Sequence, residues 1–234
     1  MGRHSWKRSG FLLATSALSL LLSAGVAAAA PALPTGGTVA AGSAAIASSG
    51  SSMTVSQSTP KAIIDWQGFS IGQGGSVQFN NGSGATLNRV TGTSGSAIDG
   101  LLSGTGSVYL INPNGVIVGK TGVVNVGGTF VASTLDIPNA SFLSGGNLTF
   151  SGPSTAAVVN EGKVGSLGGD VVLIASSVSN SGSLSAANGT VGLLAGQSVL
   201  LRDQSLSDGK FSVLLDGSGT SATNSGLILS LIHI

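Results

Sequence analysis

Four consecutive residues, Asn112-Pro113-Asn114-Gly115, bring concentrated hydrogen-bonding chemistry into an almost uncharged stretch, "LINPNGVIVGKTGVVNVGG" (110–128). Each Asn amide offers two donors and an acceptor, whereas Pro and Gly act through backbone shape. Asn first, Pro second and Gly last is the pattern of a type I turn. Pro113 and Gly115 should therefore shape a corner. Asn112 and Asn114 carry amides that could bond either across neighbouring turns of the chain or to a partner.

Groups able to break or make covalent bonds are scarce. The only histidines are His4 and His233, at the two ends, and there is no cysteine. Ser-His-Asp and Cys-His systems, and metal sites built on His or Cys, have no members. Eight carboxylates remain: Asp65, Asp99, Asp136, Glu161, Asp170, Asp203, Asp208 and Asp216. Some β-helical enzymes act on polysaccharides with clustered carboxylates, and this is the alternative reading. No two of these are adjacent in sequence, and most stand near Gly, Pro or Asn, as turn carboxylates do. Arg89 is expected to pair with an Asp or cap a strand end. The chain reads as non-enzymatic, with no cofactor and no metal.

The elements that hold these groups are strands. Short runs of Val, Ile, Leu, Thr and Phe alternate with Gly, Asn and Ser clusters, without sustained helical periodicity. "NEGKVGSLGGDVVLIASSVS" (160–179) aligns without a gap on "NSGSLSAANGTVGLLAGQSV" (180–199), matching Asn160 with Asn180, Gly169 with Gly189 and Val171 with Val191. The unit starts again at Asn224. A period near twenty residues fits a solenoid, whose coils bury their apolar residues by stacking. A β-sandwich would explain the short strands but not the register. Aligned Asn residues could form amide ladders. At about 4.8 Å per strand, roughly 200 residues would make about nine or ten coils and a rod near 45 Å long.

Arg3, Lys7 and Arg8, the apolar stretch from Phe11 to Val26 and the small residues Ala27 to Ala30 form an export signal. Cleavage is expected after Ala29, making 1–29 a signal peptide handled by the inner-membrane export machinery and signal peptidase. The remainder carries six basic against eight acidic residues, a balance of −2 that argues against nucleic acid. A chain without cysteine needs no disulfide in an oxidising compartment.

"KAIIDWQGFSIGQGGSVQFNN" (61–81), "LNRVTG" (87–92), "YLINPNGVIVGKTGVVNVGGTFVASTLDI" (109–137) and "VGLLAGQSVLL" (191–201) together resemble the amino-terminal secretion domain of filamentous-haemagglutinin-type exoproteins, on the high-molecular-weight adhesin branch. The resemblance implies an all-β fold, a right-handed parallel β-helix with amino-terminal capping strands, over 30–228. It implies an adhesin exported from a Gram-negative cell to the surface or medium, read by the periplasmic domains of an outer-membrane two-partner secretion transporter. The family's Asn-Pro-Asn-Gly-Ile motif falls on Asn112, Pro113, Asn114, Gly115 and Val116, and a secondary motif on Asn88, Arg89 and Val90. A second Asn-Pro motif and an extended leader, found in some members, have no counterpart. The host receptor is not encoded in any motif. The last six residues, "LSLIHI" (229–234), match the translation of a transposase adapter and are expected to be non-native, the chain itself being a fragment.

Overall fold

The computed structural model describes residues 1–2, 30–202, 211–214 and 219–230. The expected signal peptide, both histidines and Asp203, Asp208 and Asp216 lie outside these, apart from the first two residues. Among the described residues the strands form four sheets, and three of them are the faces of a parallel β-helix.

One face stacks Ser52–Gln57, Ser76–Asn80, Leu101–Gly104, Val123–Val126, Lys163–Ser166, Ser183–Ala186 and Leu227–Ser230 in parallel. A second stacks Lys61–Trp66, Ala85–Val90, Ser107–Ile111, Phe130–Ser133, Val171–Ala175 and Val191–Ala195. The third stacks Ser96–Ile98, Val116–Val118, Ala157–Asn160, Ser177–Asn180 and Ser221–Asn224. At the amino end the direction reverses. Thr38–Ala41 runs antiparallel to Lys61–Trp66, and Ala44–Ser49 antiparallel to Ser52–Gln57, so these two strands close the first edges as a cap.

Alternation explains the interior. Strands such as Ala157–Asn160 and Ser183–Ala186 bury every second side chain, and these point into one continuous core running from Met53 and Val55 to Leu184 and Ala186. Trp66, Phe69 and Phe79 fill its amino end, with Trp66 edge-on to Phe69 at 5.4 Å.

The second face does not alternate. Phe130–Ser133 and Val171–Ala175 are buried at every position because a second apolar cluster lies on the outside of this sheet. Ile63, Leu87, Ile111, Val131, Val172 and Ile174 form its floor. Its roof is an excursion: the chain leaves the helix after Ser133, forms a short helix, Asn139–Ser144, and a strand, Leu148–Ser151, and rejoins at Ala157. Leu148–Ser151 pairs antiparallel with Ser198–Leu201, which pairs antiparallel with Phe211–Leu214.

These excursions and the cap consume residues that the repeat alone would assign to coils. The described residues contain seven parallel coils rather than nine or ten. Residues 229 and 230 of the expected non-native tail continue the strand Leu227–Ser230, and the last four lie outside the described residues. Among the described residues no helix is long and apolar enough to cross a membrane.

Candidate functional site

Asn112 to Gly115 link the strand Ser107–Ile111 to Val116–Val118, a corner between the second and third faces. The Gly115 N–H donates to the Asn112 carbonyl at 3.0 Å, closing the turn, and Gly115 takes φ +108°, which a side chain would resist. Within the turn, the Asn112 side-chain oxygen accepts from the Asn114 N–H at 2.9 Å, an Asx-type bond.

Both amides also reach into the preceding coil. Asn112 is fully buried, and its Nδ2 donates to the Ser94 carbonyl at 3.0 Å and to Ser96 Oγ at 2.9 Å. Asn114 is exposed, yet its Nδ2 donates to the Gly92 carbonyl at 2.9 Å and to Asn112 Oδ1 at 3.1 Å. Of the two uses open to these amides, contact across coils is thus realised by both. Within the corner and the strand that follows it, Pro113, Asn114 and Ile117 present exposed side chains. Val116 points into the main core.

On its other side the corner meets the excursion. The Asn112 N–H donates to the Ser133 carbonyl at 2.9 Å, where the chain is about to leave the helix, and Ser154 Oγ donates to the Pro113 carbonyl at 2.7 Å, where it is about to return. Where the next coil would place its own corner, the chain departs instead. A shallow groove of about 340 Å³ beside it is lined by Ala97, Asn114, Gly115, Ile117, Ala157 and Val159.

The second motif is assembled one face away, and its three residues do three different things. Asn88, fully buried, accepts from the Trp66 indole N–H at 3.0 Å and donates to the Tyr109 carbonyl at 3.2 Å. Val90 packs in the main core. Arg89 points outward and grips the start of the excursion: Nε meets both Asp136 oxygens at 3.0 Å, Nη1 the Asn139 side-chain oxygen at 2.8 Å and Nη2 the Ile137 carbonyl at 2.9 Å. Asp65 stands 3.6 Å from Nη1. The expected pairing of Arg89 with an Asp is found, as a fork rather than a single contact. Lys61 fixes the other end of the short helix, donating to the Phe142 carbonyl at 2.7 Å.

Tyr109 lies between this roof and the sheet, edge-on to Phe142 at 5.3 Å. Burial, with a smaller contribution from the charge of Asp170, raises its phenol from 10.0 to about 12.

The described carboxylates converge nowhere except around Arg89, where Asp65 and Asp136 flank one guanidinium. Asp170 is buried in a coil corner and accepts from the Thr190 N–H at 2.7 Å. Among the described residues no three of His, Cys, Asp and Glu gather in a way that could hold a metal ion. Nothing in the residue pattern marks Gly92, Ser94, Ser96 and Ser154 as partners of the corner. Small serines in a Gly-rich segment look like any loop.

Residues 30–228 match the family described as the TPS secretion domain. The chain is 38% identical over 208 residues to a Heme/hemopexin-binding protein of Haemophilus influenzae, covering 84% of this chain but 22% of that protein. A second Heme/hemopexin-binding protein from the same species is 44% identical over 91 residues, 38% of this chain and 10% of that protein. The chain therefore spans about a fifth or less of these relatives. Among solved structures, the HMW1 secretion domain from Haemophilus influenzae superposes with a TM-score of 0.73 at 33% identity, covering 83% of this chain and 53% of that one. A filamentous hemagglutinin secretion domain shares the fold, with a TM-score of 0.56 at 18% identity over 85% of this chain and 73% of that one.

Proposed function

The chain belongs to the TPS secretion domain family, and from that membership we propose that it is the non-enzymatic secretion and folding module at the amino end of a large exported adhesin, recognised by a cognate outer-membrane transporter. A secretion module is what the family is, and its exoproteins reach the cell exterior. The finer reading concerns the corner. The observation that carries it is the position of Asn112: fully buried, bonded to the preceding coil and to the point where the chain leaves the helix.

Such a residue favours one order of events. A coil that closes around Asn112 aligns the coil before it and fixes the exit of the roof after it, so its formation helps the rest to add in sequence. Asn114, by contrast, is exposed enough to be touched by a transporter domain. Asn112 thus serves folding, and Asn114 serves folding and recognition. Transit through the periplasm, after inner-membrane export and removal of the leader by signal peptidase, precedes recognition.

Heme or hemopexin binding, named for the relatives, concerns proteins of which this chain matches at most 22%. A similar role for the exoprotein that carries this module is compatible with the resemblance. A polysaccharide-acting β-helix is less well supported, since the convergent carboxylates are already paired with Arg89.

The test is co-expression with the cognate transporter, scoring the ratio of extracellular to periplasmic protein for Asn112→Ala and Asn114→Gly. Asn114→Gly is expected to lower secretion sharply while the purified domain keeps the parental β spectrum. Parental secretion of both variants would reduce the motif to a turn.

A further inference from the structure

The chain contains three Asn-Gly pairs, Asn81-Gly82, Asn114-Gly115 and Asn188-Gly189. We propose that Asn188 is a site of spontaneous deamidation in the folded protein, and that the other two are protected by their hydrogen bonds. In this reaction the backbone nitrogen of the following residue attacks the Asn Cγ. A new N–Cγ bond forms, the bond from Cγ to the side-chain nitrogen breaks, and ammonia leaves with the backbone proton. Water then opens the cyclic imide to aspartate or isoaspartate. Glycine favours the step because no side chain blocks the approach, so all three pairs are equal in the unfolded chain. The fold must discriminate among them.

Asn81 is held on every polar atom. It is 5% exposed, its Nδ2 donates to Thr86 Oγ1 and to the Ser107 carbonyl, and its Oδ1 accepts from the Gly106 N–H and from Thr105 Oγ1. Asn114 is exposed, but the nitrogen that would attack is not available: the Gly115 N–H is committed to the Asn112 carbonyl at 3.0 Å. Its side-chain nitrogen is held twice more, by Gly92 and Asn112. Asn188 has neither protection. It stands exposed in a turn with one bond, Nδ2 to the Leu167 carbonyl at 2.8 Å, and no hydrogen bond of the Gly189 N–H is found among the described residues.

The product would disturb a joint between coils. The bond to Leu167 ties the Asn188 corner to the corresponding corner of the preceding coil, and deamidation removes that donor. Gly189 packs against Gly169 and Asp170 so closely that a Cβ would not fit, leaving little room for the extra main-chain carbon of isoaspartate. A carboxylate at 188 would also set negative charge against the Leu167 carbonyl oxygen, to which it could donate no hydrogen bond.

The test is peptide mapping by mass spectrometry of the purified protein held in mildly alkaline buffer, with a second sample in denaturant. In denaturant all three pairs should gain the deamidation mass at comparable rates. In the folded protein Asn188 should convert about tenfold faster than Asn81 or Asn114, whose reaction waits on local opening. Equal rates at the three sites in the folded protein, or an Asn188 as slow as the others, would overturn the proposal. The consequence is read separately: Asn188→Asp should unfold at a lower temperature than Asn188→Ser, which also lacks the amide donor but adds no charge. Equal unfolding temperatures of the two would remove the effect of the charge, and an Asn188→Ser variant as stable as the parent would remove the effect on the joint.

Discussion

Asn160 donates its side-chain amide to the side-chain oxygen of Asn180 across 2.7 Å, one coil further along the rod. Asn180 repeats the gesture to Asn224 at 2.6 Å. The three residues stand in register on the third face, so one amide sits above another at each coil corner. Such a ladder satisfies buried donors and acceptors only while the coils are aligned, which makes it a register device as well as a stabilising one.

The middle rung should matter most. Asn180 is 1% exposed and bonded on both sides, so Asn180→Ala leaves a buried donor on Asn160 and an acceptor on Asn224 without their partners. A loss of about 2 to 3 kcal/mol is expected. Asn224→Ala, at an exposed position, should cost less than about 1 kcal/mol. Denaturant unfolding of the two variants checks the order.

At the Asn-Pro-Asn-Gly corner the two amides should separate in the same way. Asn112→Ala removes both donors from a fully buried position and frees the Asn114 N–H, at about 2 to 4 kcal/mol. Asn114→Gly removes a half-solvated amide and costs about 1 kcal/mol. Thermal unfolding of purified domains gives both values, and a larger loss for Asn114→Gly would contradict the geometry.

Arg89 predicts an effect confined to the roof. Arg89→Lys cannot reproduce a fork that reaches Asp136, Asn139 and the Ile137 carbonyl together. Both Lys and Ala should cost about 1 to 2 kcal/mol, discounted because Asp136 is 46% exposed on its side chain. Amide hydrogen exchange should quicken at 136–151 and stay unchanged at 177–180. Uniform quickening along the rod would show that the roof and the helix open as one unit.

How much of this could be read beforehand depends on spacing. The pairs Asn160 with Asn180 and Val171 with Val191 lie in neighbouring coils, and an undisturbed twenty-residue repeat records them directly. Further toward the amino end Trp66 meets Asn88 at a separation of 22 and Ser52 meets Ser76 at 24, so the same stacking leaves no gapless alignment. Thr129 contacts Asp170 at a separation of 41, because the excursion lies between them. Ladder and corner were legible since Asn and Gly announce bends. The second core was not: "VVLIA" (171–175) is equally apolar whether one face is covered or both, and its roof comes from residues that pair antiparallel 47 or more positions away. The partners of Arg89 were hidden for the same reason. An arginine forecasts a carboxylate but not which one.

The roof also sets the acidity of Tyr109, the only tyrosine in the chain. Its phenol is raised to about 12 by burial first and by Asp170 second, against 10.0 when free. Because the unfolded chain gives up this proton at lower pH than the folded one, the stability it permits is complete below about pH 10. It is lost as pH climbs toward about 12, at 1.36 kcal/mol per unit, or about 2 to 3 kcal/mol in all. Tyr109→Phe keeps the ring against Phe142 and removes the proton, so its stability should fall less across this window. With a single tyrosine, phenolate absorbance follows the titration directly, and the folded protein should titrate near 12 and the denatured chain near 10. The Arg89→Ala variant joins the two predictions. Loosening the segment that carries Phe142 hydrates the phenol, so its titration should shift down toward 10 while the β spectrum persists. A titration that stays near 12 in that variant would mean that the sheet and Asp170, not the roof, hold the proton on Tyr109.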